Sequence, residues 1–204
     1  MAEFSYSPMF PITADTTEYE LITSEHIKLV EMGGEAFLRV DAKALTILAE
    51  RAFADISHLL RSSHLSQLAD ILKDPEATKN DRFVALEMLK NAVISAEGLL
   101  PMCQDTGTAL VTGYRGDHVL VNSDDGEALS RGIYNTYQNC NLRYSQLTAH
   151  TMFEESNTAT NLPAQIEINA GKGREYKFAF IQKGGGSANK AFLHQKTKAV
   201  LNPQ

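Results

Sequence analysis

The chain has 204 residues, of which 43% are hydrophobic and 22% charged, and a formal net charge of −6. That length buries a substantial core in one large domain or two small lobes, and the composition is ordinary for a globular protein. The acidic balance excludes an extended nucleic-acid surface, which needs an excess of Lys and Arg, but leaves room for a local basic pocket for a small anion.

Residues 1–19 carry Pro8, Pro11 and Asp15 and little periodicity, and read as an arm with neither the basic start nor the apolar run of a secretory signal. EHIKLVEMGGEAFLRV alternates apolar and polar residues around Gly33–Gly34, a hairpin pattern. Asp41 is placed to cap a helix carrying Leu45, Leu48, Ala52, Ile56 and Leu59 at helical spacing. A shorter helix is expected over 63–73, ended by Asp74–Pro75. A third, capped by Asn80, carries the stripe Phe83, Leu86, Leu89 and Val93, expected to face the core, and closes at Gly98. After that glycine, ALVTGYRGDHVLVN reads as two short strands joined at Arg115–Gly116, and DDGEALSRGIYNTYQN as a helix despite Gly132. AQIEINAGKGREYKFAFIQKG has the clearest hairpin pattern, turning at 171–173. The expected fold is α+β, N-terminal helices packed with antiparallel hairpins and sheet, without a Rossmann or P-loop unit. We expect one domain over 1–204, with a hairpin-plus-helical lobe at 1–98 and a β-rich lobe at 99–204. No apolar run is long enough to cross a bilayer.

Three segments could carry chemistry. In LPMCQDTGT, Cys103 offers a thiolate suited to iron–sulfur clusters, and Gln104 and Asp105 can bind or protonate a small polar substrate. On residue types alone, a buried cysteine ahead of an Asx turn suits this segment better. KGGGSANK places Gly184, Gly185 and Gly186 where backbone amides can approach an anion, or simply make a flexible turn. It fails the P-loop pattern, since Asn189 stands where glycine is required and Ala191 where Ser or Thr is. Arg143, in NLRYS, can clamp a carboxylate in bidentate fashion or serve as a surface group. TATNLP at 158–163 is polar and turn-like, and suits a site lining as well as a loop. The six histidines form no HxxxH or HxH pair, and Cys103 and Cys140 form no CxxC pair, which points to a reduced, cytoplasmic protein.

Taken together, CQDTGTA at 103–109, NLRYSQ at 141–146, TNLPAQI at 160–166 and KGGGSANK at 183–190 resemble, in that order, class I fumarate hydratases, the oxygen-sensitive 4Fe–4S hydro-lyases. TEYELITSEHI and LKDPEATKND resemble the family's entry segments, so the likeness spans the chain. The resemblance implies reversible hydration of fumarate to (S)-malate, a homodimer, and a cluster held by three cysteines with one iron open to substrate. Cys103 matches the first of these ligands. The other two belong to a C-terminal domain that this chain would lack, so no cluster and no activity are expected of the chain alone. By the same resemblance, Gln104 and Arg143 bind substrate carboxylate, Asp105 joins the proton-transfer network, and Gly184–Gly186 supply backbone contacts. Cys140 matches no ligand. The rival readings are an α subunit of L-tartrate dehydratase, which should hold its own full set of cluster cysteines, and a non-catalytic anion-binding or assembly module.

Overall fold

A computed structural model describes residues 3–6, 18–103, 106–186 and 192–201. Strands β1 (Ile27–Met32) and β2 (Glu35–Val40) form the expected hairpin, with Gly33 and Gly34 both at positive φ in the turn. Helix α1 (Ala42–His58) follows, capped at Asp41 as expected, but the capping hydrogen bond comes from elsewhere. Asn122 accepts from the Ala42 N–H at 3.0 Å and donates to the Asp41 carboxylate at 2.9 Å, so a later loop satisfies the helix start.

Helices α2 (Ser62–Ile71) and α3 (Lys79–Ser95) pack on each other. Thr78 rather than Asn80 caps α3, because Thr78 and Asp81 close a reciprocal capping box. The stripe expected to face the core faces outward instead, with Phe83 62% and Val93 70% exposed. The residues of α3 that are buried are Ala85, Ala92 and Ser95. The helical period is as read; the buried face is the opposite one.

Strand β3 (Thr108–Gly116) is the axis of the second half. β4 (Val119–Val121) pairs parallel with β2, giving a sheet in the order β1-β2-β4. After helix α4 (Asp125–Asn139) come the short pair β5 (Leu147–Ala149) and β6 (Glu155–Asn157), then β7 (Gln165–Gly171) and β8 (Tyr176–Lys183). The fold is α+β, as expected. However, β7 and β8 do not pair with each other: the sheet order is β7-β3-β8, with β7 parallel and β8 antiparallel to β3. The alternating pattern reports strands but not their neighbours. Gly113 decides the matter, since a Cβ there would lie 2.7 Å from Ile168 and 3.2 Å from Phe178, the side chains contributed by the two flanking strands. The connecting turn straddles the end of β3, where Gly116, Asp117 and His118 donate backbone hydrogen bonds to Glu175, Gly171 and Gly173.

The core lies where α1 and α4 meet this sheet. Phe53 stacks edge-on against Phe180, with centroids 5.7 Å apart, and Leu129, Ile133 and Tyr137 close the other side. Gly132 lets the two helices touch: a Cβ there would strike the Thr46 carbonyl and come within 2.8 Å of Ala49 and of the Glu50 amide. Thr46 and Thr136 then cross-link the helices through backbone carbonyls, at 3.0 Å to Ala128 and 2.8 Å to Glu50. Gly132→Ala tests this contact. In a free helix it would stabilise by about 1 kcal/mol through propensity. Here overpacking should outweigh that gain and destabilise by about 1–3 kcal/mol, read by thermal unfolding. A higher melting temperature would mean that the helices do not touch at Gly132.

Candidate functional site

Four segments far apart in sequence meet at Gly107. This residue sits at φ +58, and a Cβ on it would run into the Lys183 carbonyl and lie 2.7 Å from the Gly184 Cα, so the glycine-rich segment rests directly on it. Its N–H donates to the Ser145 hydroxyl at 3.0 Å, and its carbonyl accepts from the Asn161 amide at 2.6 Å. The neighbours continue the pattern. Thr106 donates to the Arg143 carbonyl at 2.7 Å, and Thr108 donates to the Gln146 side chain at 2.8 Å.

Asn161 holds this joint from beneath. It is fully buried, adopts φ 56, and its side-chain oxygen accepts from both the Ser145 and Gln146 amides at 2.9 Å. From α4, the Tyr137 hydroxyl donates to the carbonyls of Thr106 and Gly107 at 3.0 and 3.2 Å. Burial pushes its pKa up to about 12, so the group remains a neutral donor at physiological pH. Tyr137 and Asn161 thereby bond backbone groups of Thr106, Gly107, Ser145 and Gln146, which stiffens the platform.

Above it, Cys103 is exposed and lines a cavity of about 370 Å3 together with Ser57, Arg61, Met102, Thr106 and Gln182. It is therefore not the core cysteine that residue types alone favour. Gln104 and Asp105, the other two candidates in this loop, lie outside the described residues. Arg143 is exposed and its guanidinium has no hydrogen-bond or ion-pair partner among the described residues, which leaves it available to an anion. Gly184 is half-buried against Gly107, while Gly185 and Gly186 beyond it are exposed. The structure thus gathers Cys103, the Arg143 backbone and Gly184 around one segment.

Cys140 is placed differently. It ends α4, half-buried against the core, and burial together with the nearby Glu50 carboxylate pushes its thiol pKa up. A thiol kept protonated is a poor metal ligand. Among the described residues no group of three or more His, Cys, Asp and Glu side chains could hold a metal ion. The donor set therefore fits one corner of an iron–sulfur cluster, at Cys103, and no more. Also among the described residues, no helix is long and apolar enough to cross a membrane.

Sequence reasoning missed Asn161, Tyr137, Ser57 and Gln182. A signal existed for Tyr137, which occupies a core position on α4 with a hydroxyl that must find a partner. For Asn161 the hints were a polar turn at 158–163 and its place in TNLPAQI, with no role attached to either.

Residues 46–204 match the family model described as Fumarate hydratase (Fumerase). The chain is 55% identical over its whole length to the mitochondrial fumarate hydratase 1 of Leishmania major, of which it covers 38%. It is 54% identical over 98% of its length to the aerobic class I fumarate hydratase of Escherichia coli K12, covering 36% of it, and 49% identical to fumarate hydratase 2 of Leishmania major, covering 37%. It thus spans a little over a third of the length of these relatives. The four segments that meet at Gly107 all lie within the matched region, and the chain belongs to the fumarate hydratase family.

Proposed function

We propose that this chain forms the N-terminal part of a class I fumarate hydratase, which adds water reversibly across the double bond of fumarate to give (S)-malate. The observation that carries the reading is the joint at Gly107, which brings a segment bearing Cys103 and a glycine-rich turn onto one rigid base beside Arg143. Hydration of a dicarboxylate needs two things that such a site can supply: a grip on two negative groups, and a proton placed at one carbon while hydroxyl joins the other.

In this reading Arg143 and Gln104 hold carboxylate, the amides at Gly184–Gly186 add backbone donors, and Asp105 belongs to the proton-transfer network. Cys103 is one of three thiolates holding a 4Fe–4S cluster, the other two coming from a C-terminal domain of the same enzyme. The cluster, when bound, supplies a Lewis-acidic iron for the substrate's hydroxyl. The chain's own contribution is positional: Tyr137 and Asn161 fix the carbonyls of Thr106 and Gly107, next to the segment that carries Cys103. We further propose a homodimer in a reducing, cytoplasmic setting. The outward apolar stripe of α3 supports the first, and the cysteine usage supports the second.

The full-length enzyme, handled without oxygen, should consume fumarate and form malate, followed by the loss of fumarate's ultraviolet absorbance. The 204-residue chain alone should not exceed buffer. A full-length enzyme inert toward both acids would overturn the reading. Turnover by the chain alone would overturn the division of the site between two domains.

A further inference from the structure

Met102 and Thr106, on either side of Cys103, Gln104 and Asp105 in the sequence, are both held by hydrogen bonds. At the leading end, the Met102 N–H donates to the Ser57 carbonyl at 2.9 Å. At the trailing end, the Tyr137 hydroxyl donates to the Thr106 carbonyl at 3.0 Å. Gln182 lies beside both, lining one cavity with Met102 and Thr106, and its amide donates to the Ser57 hydroxyl at 2.8 Å. Ser57 is 4% exposed and anchored in turn, donating to the Phe53 carbonyl at 2.6 Å.

Gln182 is set by the sheet. It pairs with Ala109, which is fully buried in the central strand, and it precedes Lys183, whose carbonyl rests on Gly107. Ser57, Gln182 and Cys103 all line the same cavity. An amide suits this place, because it can donate to the Ser57 hydroxyl, whose own hydrogen is already given to Phe53.

We infer that Gln182 is a positioning residue: it ties the C-terminal end of α1 to the end of β8, beside Gly107, and so fixes how Cys103 is presented. It does not touch the reacting atoms. Its influence on turnover rests on the hydratase reading above, but its influence on the loop does not.

The experiment uses Gln182→Met, which keeps the length and removes the amide, together with Ser57→Ala and the double variant. In the 204-residue chain, amide exchange at Met102, followed by mass spectrometry, should quicken about five- to tenfold in either variant, the effect of weakening one hydrogen-bonded support. In the full-length enzyme, kcat should fall about 10- to 100-fold, as for a small misplacement of catalytic groups. KM and iron content should stay within about twofold of the unaltered protein. The double variant should lose no more than the worse single one, because both changes cut one relay.

Gln182→Glu keeps the shape but loses the donor, so it should resemble Gln182→Met rather than the unaltered protein. Unchanged exchange at Met102 in both single variants overturns the inference, whatever the enzyme does. So does a kcat loss that merely tracks lost iron or a lowered melting temperature. If exchange quickens while the unaltered full-length enzyme does not act on fumarate, the hydratase reading fails and the positioning role stands.

Discussion

In the full-length enzyme, Cys103→Ser should abolish both activity and retention of iron and sulfide, whereas Cys140→Ser should leave both nearly intact. The two cysteines differ in surroundings rather than in chemistry. Cys103 is exposed at a cavity mouth, on a loop whose flanks are hydrogen-bonded to α1 and α4. Cys140 is packed at the end of α4 with its thiol pKa pushed up by burial and by Glu50. A serine hydroxyl is a poor iron ligand where thiolates are needed, so loss of one of three ligands should release the cluster. Replacing Cys140 removes only a polarisable side chain from a half-buried place and should cost at most about 1 kcal/mol. Asp105→Asn supplies the contrasting case. The change is nearly isosteric, so the cluster should assemble, while kcat falls about 100- to 10,000-fold, the scale of lost acid–base catalysis. Iron and sulfide analysis beside anaerobic kinetics separates the three outcomes. A Cys103→Ser enzyme that keeps its full iron would remove Cys103 from the ligand set. Loss of the cluster in Asp105→Asn would make Asp105 a support of the loop instead of a proton carrier.

Local structure was largely legible in the sequence where it depends on neighbours along the chain, the cap of α3 at Thr78 rather than Asn80 being the exception. The hairpin at Gly33–Gly34, the cap position at Asp41 and the helix through Gly132 all follow from short-range rules. The larger differences depend on partners distant in sequence. β7 and β8 alternate as a hairpin would, yet β3 inserts between them, and only the absence of a side chain at Gly113 hints at it. The stripe on α3 has the right period, but periodicity does not say which face finds a partner. The site divides the same way. Cys103, Arg143 and Gly184–Gly186 could be named as candidates from the sequence because they stand in motifs that resemble those of class I fumarate hydratases. The groups beneath them were not, since a buried amide or phenol carries no mark until its partners are known. Ser57 and Gln182 are 125 positions apart, and only the fold makes them neighbours.

Asn161 tests whether that hidden layer matters. Asn161→Ala should destabilise the chain by about 3–5 kcal/mol, among the larger effects of a single substitution. The side chain is fully buried and makes three hydrogen bonds, accepting from the amides of Ser145 and Gln146 and donating to the carbonyl of Gly107. Truncation leaves the two amides without partners in a dry place, at about 1–3 kcal/mol each, and leaves the Gly107 carbonyl only the Tyr137 hydroxyl. The backbone adds to this, because φ is 56 here and Asn tolerates the left-handed region better than Ala does. At this chain length the loss should lower the melting temperature by about 6–15 °C. Asn161→Asp distinguishes loss of bonding from loss of shape. The carboxylate still accepts from both amides and suits the backbone, but its other oxygen faces the Gly107 carbonyl. Its ionised form is disfavoured there, so the folded-state pKa of the new carboxyl should lie above the ordinary value of about 3.9. With a raised folded pKa, stability is present while the group is protonated and is lost as pH climbs through that value. The Asn161→Asp chain should therefore approach the unaltered one near pH 4 and fall furthest behind near pH 7. Two melting curves for each protein, at those two pH values, decide the matter. If Asn161→Ala melts within about 2 °C of the unaltered chain, the joint at Gly107 does not depend on this amide. If the gap for Asn161→Asp is the same at both pH values, the side chain is not facing the carbonyl on which the four segments converge.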